Sequence, residues 1–190
     1  MVIDVYKNGL GVPGKCGSRY FWKAKGIIGL GERRLMNDLI NEGIKLNYII
    51  VRNPLSHLES ALQTELMECF DNEEKILKIL ESFLDTDWGG THYHPQFCQK
   101  IYKHFWNDGK LEIIDLEDST MFLKKLLNGI TIKFDKTDYD FHDDNRYITK
   151  QQSWDRCMGL YPDLMDRLIK YTEEDTKWYN MLLGINNNLI

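Results

Sequence analysis

Four cysteines and four prolines in 190 residues are few. No two cysteines stand in a CxxC pair, which removes the zinc-ribbon and thioredoxin-like readings. Cys16, Cys69, Cys98 and Cys157 are also too sparse for a disulfide scaffold, so a reducing compartment is expected. No Asn-x-Ser/Thr sequon occurs. No stretch approaches the roughly 18 apolar residues of a membrane helix, and the first residues lack a basic segment leading into an apolar run. These absences lead to the expectation of a cytoplasmic chain with no membrane partner. Positive charge is not in excess either. The net charge of −5 argues against a general nucleic-acid coat, while leaving room for a local basic pocket that holds a small anion.

What is present suits one globular unit. With 43% hydrophobic residues the chain can bury one sizeable core, and a single domain over residues 1–190 is expected. There is no internal repeat, low-complexity tract or Pro/Ser linker. The Asp-rich run at 135–146 reads as a surface loop. Strand-like segments alternate with helical ones. Residues 2–6 are a short β-branched strand, 9–17 a glycine-rich loop entered from that strand or from a shorter one at 10–12, 18–25 the start of a helix, and 27–30 a short strand. Residues 32–42 read as a helix with Leu35, Leu39 and Ile40 on one face. Residues 47–51 are a strand of buried type. Helices follow at 56–70, around Ile76 to Leu84, and around Phe97 to Trp106. Residues 111–116 are a strand, Ser119 or Thr120 caps a further helix, and 130–134 can add a strand. Residues 161–183 read as two terminal helices, the second opened by Glu173, Glu174 and Asp175. This alternation predicts an α/β fold, a three-layer sandwich with a central parallel sheet, whose ligands bind beyond the carboxyl ends of the strands.

The segment Val12-Pro13-Gly14-Lys15-Cys16-Gly17-Ser18-Arg19 carries the most chemistry. Glycines let the backbone curl so that several N–H groups face one anion, and a helix N-terminus adds its dipole. Lys15 supplies a mobile charge, and Ser18 and Arg19 supply donors in the first helical turn. The pattern Gly9-x-x-x-x-Gly14-Lys15 fits a Walker loop up to its last position, which should be Ser or Thr to ligate magnesium. Cys16 stands there and is a poor ligand for that hard ion. A reading without metal fits better.

A second stretch complements the first. Arg52 closes the strand, Pro54 opens the next helix, and Ser60 lies in that helix eight residues after Arg52. A guanidinium fork and a hydroxyl can close on one phosphate.

Together these two stretches resemble the PAPS-dependent sulfotransferase superfamily, whose fold is P-loop nucleotide-binding-like. Gly14-Lys15-Cys16-Gly17-Ser18 resembles its 5′-phosphosulfate loop, and Arg52 with Ser60 its 3′-phosphate motif. The resemblance implies that Lys15 contacts the bridging oxygen and the sulfuryl group. It implies that Pro13, Gly14, Cys16, Gly17, Ser18 and Arg19 frame or bind the 5′-phosphate, and that Arg52 and Ser60 bind the 3′-phosphate. Thr91-His92-Tyr93-His94-Pro95-Gln96 is similar to the His-aromatic-x-Pro-Gln segment of carbohydrate sulfotransferases, with His92 at the family's histidine. The implied reaction moves a sulfuryl group from PAPS to a hydroxyl or amine of a saccharide or small molecule, leaving PAP and needing no metal.

Such an acceptor needs a base. His92 is the first candidate, His94 the second, and Glu32 the third because it follows the expected strand at 27–30. His57 is expected to face solvent or cap its helix, and His104, beside Phe105 and Trp106, to pack. Trp22, Tyr93, Trp106, Trp154 and Trp178 could stack on a base or sugar, and Lys150 and Arg156 could reach the nucleotide. Two other classes compete: a P-loop kinase or NTPase, kept open by Asp115 and Asp118, and a nucleotide-binding protein without catalysis.

Overall fold

A computed structural model describes residues 1–6, 9–14, 16, 31–86, 92–106, 110–116 and 148–184. Among these residues the chain forms an α/β structure on a five-stranded sheet. Its elements are β1 (Val2–Val5), β2 (Leu10–Pro13), β3 (Glu32–Leu35), α1 (Met36–Asn41), β4 (Tyr48–Val51), α2 (Pro54–Leu66), α3 (Glu73–Leu84), α4 (Phe97–Phe105), β5 (Glu112–Asp115), α5 (Lys150–Leu160) and α6 (Pro162–Leu182). The expected segments 18–25, 27–30, 119–127, 130–134 and 135–146 lie outside the described residues.

The strand order is β3-β1-β2-β4-β5. Strands β2, β4 and β5 run parallel, whereas β1 is antiparallel to both β2 and β3. The sheet is therefore mixed, which corrects the all-parallel expectation. The cause is local: β1 and β2 form a hairpin and not a helix-linked crossover. Gly9, at φ +79°, turns that hairpin and donates to the Tyr6 carbonyl at 2.9 Å. The stretch read as a glycine-rich loop from residue 9 thus begins with a buried strand, and the phosphate-loop candidate starts only at Gly14.

Two further expectations are corrected. Glu32–Leu35 is an edge strand and not the first turn of a helix, because it pairs along its whole length with β1. The terminal segment is one continuous helix, α6, of 21 residues. Asp175 does not open a new helix in it. Its carboxylate instead accepts from the backbone N–H groups of Cys98 and Gln99, both at 2.9 Å, and so satisfies the first turn of α4.

Side-chain alternation on β4 divides the core. Ile49 and Val51 pack with Ile3, Met36, Leu39, Phe97, Ile101, Tyr179 and Leu182, so α1, α4 and α6 cover that face. Ile50 turns to the other face with Leu10, Val12, Cys16 and Ile114. A separate helical core joins α2, α3, α5 and α6 through Leu58, Leu62, Leu80, Phe83, Cys157 and Leu168. Helix α2 starts where the sequence places it: Pro54 is its first residue, and the Asn53 side chain accepts from the N–H groups of Leu55 and Ser56. No helix among the described residues is long and apolar enough to cross a membrane.

Candidate functional site

The carboxyl ends of β2, β4 and β5 lie side by side. Strand β2 pairs with β4 in parallel, and Val51 of β4 pairs with Asp115 of β5. The chain leaves β2 into Pro13 and Gly14, and leaves β4 into Arg52 and the capped N-terminus of α2. The glycine loop, an arginine and a helix N-terminus thus converge because neighbouring parallel strands end together. Lys15, Gly17, Ser18 and Arg19 lie outside the described residues.

His57 holds this corner together. Its Nε2–H donates to the Gly14 carbonyl at 3.0 Å, and the ring is 1% exposed. It packs edge-on against Tyr93 and Phe97. Burial, with the nearby Arg52 charge, lowers its pKa to about 4, so the ring is neutral. The expectation that His57 faces solvent is corrected. The helical period explains the result, since His57, Ala61 and the buried Leu58 and Leu62 share the inward side of α2. Ser60, one turn beyond His57, is half-buried on that helix.

Cys16 is wholly buried, and its thiol is pushed up to about 12 chiefly by burial, with Arg52 lowering it and Asp115 raising it. A neutral thiol clustered with Val12, Ile50 and Ile114 is part of the apolar core on that face of the sheet. Asp115, at the end of β5, accepts from the Tyr179 hydroxyl at 2.9 Å.

The three base candidates separate. His92 is 36% exposed at its side chain, and its Nδ1 lies 2.6 Å from Glu65 Oε1. Its backbone and ring also act on His57, which puts it beside the Gly14 corner. His94 is 1% exposed. Its Nδ1 accepts from Gln96 N–H at 3.1 Å. Nε2 is buried without a hydrogen bond of good geometry among the described residues, although the Thr86 backbone lies close enough to favour its protonation. Burial, then Lys100, lowers its pKa to about 3. His94 therefore shapes the turn into α4 and is closed to an acceptor. Glu32 is exposed on the edge strand and pairs in register with Val5, which itself pairs with Gly11. That is the opposite end of the sheet from Gly14, so Glu32 stands apart from the site. The reason is that residues 32–35 pair with β1 as β3, where a helix following the 27–30 strand was expected.

The remaining side chains divide in the same way. His104 is exposed and not packed, while Tyr93 is buried in the helical core. Trp106 and Trp178 group with Tyr102, and Lys103 Nζ sits 5.7 Å over the Trp178 ring. Lys150 pairs with Glu59 at 3.6 Å and Arg156 with Glu73 at 3.4 Å. Trp22 and Asp118 lie outside the described residues, among which no three His, Cys, Asp or Glu side chains are grouped to hold a metal. Glu65 is the residue that sequence reasoning missed. A carboxylate on the helical strip that continues His57 and Ala61 was the available signal.

No family model, no curated protein and no solved structure matches this chain.

Proposed function

We propose that the chain is a PAPS-dependent sulfotransferase of the P-loop nucleotide-binding-like, three-layer type, acting on a saccharide or small-molecule hydroxyl or amine. The observation that carries this reading is the convergence of Gly14, Arg52 and the N-terminus of α2 where β2 and β4 end together. The donor set is cationic and N–H in character, which suits phosphate groups. Lys15, Gly17, Ser18 and Arg19 would join Gly14 around the 5′-phosphosulfate, and Arg52 with Ser60 would hold the 3′-phosphate. PAPS supplies the activated sulfuryl group. The chain supplies fixed positive charge toward the oxygens where negative charge develops, and a base for the acceptor. His92 is that base: it is the half-exposed one of the three candidates and lies beside the Gly14 corner.

A kinase or NTPase reading draws on Asp115 at the end of β5, close to Cys16. The buried neutral thiol of Cys16 counts against it, since magnesium would lose its hydroxyl ligand. A nucleotide-binding protein without catalysis would keep Arg52 and lose nothing on substitution of His92.

Thermal unfolding with PAP, and separately with ATP plus magnesium, tests the choice. A ligand at about 100 times its dissociation constant stabilises by roughly 2.7 kcal/mol. In a chain of this size that raises the Tm by about 2–4 °C per kcal/mol. A magnesium-independent shift with PAP supports the sulfotransferase reading, and a shift with ATP and magnesium alone overturns it.

A further inference from the structure

We propose that Glu65 is a positioning residue for His92, holding the imidazole with its proton on Nδ1 so that Nε2 is the basic nitrogen presented to an acceptor. This rests on the sulfotransferase reading of the site.

The Glu65 Oε1 to His92 Nδ1 distance is 2.6 Å. A carboxylate oxygen can only accept, so Nδ1 carries the proton and the ring's lone pair resides on Nε2. Both partners are anchored. Glu65 sits on α2 between the wholly buried Leu62 and Leu66, which fix its turn of helix. Next to His92 in the chain is Tyr93, buried against Phe83 and His57. The pair itself is partly open, with side-chain exposures of 36% for His92 and 26% for Glu65. It is therefore placed to meet an acceptor, whereas His94 is not. His92 also neighbours His57, whose ring is bonded to Gly14. One helix, α2, thus carries the cap beside Arg52, the clamp on the glycine loop and the carboxylate that orients the base.

In the step this serves, the acceptor oxygen bonds to sulfur as the bond from sulfur to the leaving phosphate oxygen breaks. That electron pair stays on the phosphate, and the acceptor's proton passes to His92 Nε2. Glu65 remains ionised and stabilises the imidazolium without taking a proton. It touches neither PAPS nor the acceptor, so its removal should slow turnover without weakening nucleotide binding.

The test uses the full chain and the Glu65→Gln and Glu65→Asp variants. Turnover is read as PAP formed from PAPS with water as acceptor, and the His92 tautomer by long-range proton–nitrogen correlation in the resting protein. The expected result is a single Nδ1–H tautomer in the parent chain and a mixture in Glu65→Gln. The kcat of Glu65→Gln should fall about ten- to hundredfold at unchanged KM for PAPS, with partial recovery in Glu65→Asp. An unchanged PAP-induced Tm shift shows that the variants are folded. A parent His92 protonated on Nε2, or a tautomer or kcat unmoved in Glu65→Gln, overturns the proposal. A parent chain that neither binds PAP nor forms it overturns the sulfotransferase reading, and the catalytic role falls with it. The tautomer measurement still decides the pairing in that case.

Discussion

The two halves of the sheet carry the same kinds of residue and use them differently. On the antiparallel side, β3 carries exposed Glu32 and Arg33 and half-buried Arg34, at the edge of the sheet among the described residues. Arg33 meets Asp4 at 3.3 Å, and Arg34 meets Glu42 at 2.5 Å and Glu32 at 3.4 Å. Each pair has one largely exposed partner, which water screens, and charge along a strand edge disfavours pairing with another chain. On the parallel side, Arg52 is half-buried, His57 is buried, and both lie where two strands end beside a helix N-terminus. There each polar group is short of water, so a lost partner is costly. Arg34 and Arg52 are both half-buried, so surroundings and not residue type distinguish them: Arg34 meets two carboxylates, whereas Arg52 lies near the neutral His57 and Cys16 where two parallel strands end.

Acid should break the comparison most. His57 and His94 have pKa values lowered to about 4 and about 3, against about 6.5 when unfolded. The unfolded chain therefore binds more protons below about pH 6.5, and stability falls as pH drops from there through 4. Asp175 acts in the opposite sense. Its carboxyl is raised by burial to about 7, so its contribution is lost as pH rises from about 4 toward 7. The two histidine shifts together exceed the one carboxyl shift, so urea midpoints at pH 7, 5.5 and 4.5 should decline in that order. Equal midpoints would show that these rings are not buried as neutral groups.

At the next scale, Arg52→Ala should erase the PAP-induced Tm shift, while Arg34→Ala leaves it whole. An undiminished shift in Arg52→Ala would move the anion site elsewhere. His57→Ala removes a packed ring and the bond to Gly14, and should cost roughly 2–4 kcal/mol in urea unfolding. It should also weaken PAP binding by freeing the loop. Gly9→Ala forces a side chain onto φ +79° and within 2.6 Å of the Asn47 side chain, for a loss of about 1–2 kcal/mol. Smallest is Glu32→Ala on the exposed edge, with Tm held within about 1 °C and PAP binding unaltered.

Much of the frame was legible in the chain. The run Tyr48–Val51 is apolar enough to be a buried strand, and Pro54 marks the start of α2, two residues ahead of the 56–70 helix read from apolar spacing, which ends at Leu66. What escaped was set by distant partners. Residues 10–12 read as loop or as a short strand until β1 and β4 flank them and decide for strand, and Glu32–Leu35 reads as helix until β1 pairs with it. Asp175 looks like a helix start because its true partners, the N–H groups of Cys98 and Gln99, lie 77 and 76 residues away. For the candidate site, local chemistry singles out Gly14 and Arg52, and the parallel pairing of β2 with β4 brings them to neighbouring strand ends. The inward turn of His57 and the pairing of Glu65 with His92 depend on how α2 seats against its neighbours, which spacing alone does not fix.

The packing of α6 also has a bearing on how the chain is made. Tyr179 and Leu182 share a core with Met1, Ile3 and Ile49, and Asp175 completes the first turn of α4. On a ribosome, the part of that face which α6 covers would stay open until the last turns of α6 had emerged. Contacts of such long sequence separation are slow to form, because loop closure must precede any gain from burial. The apolar face of β1 and β4 is then the surface a holding chaperone would meet first, and stalling synthesis short of residue 175 should leave it exposed.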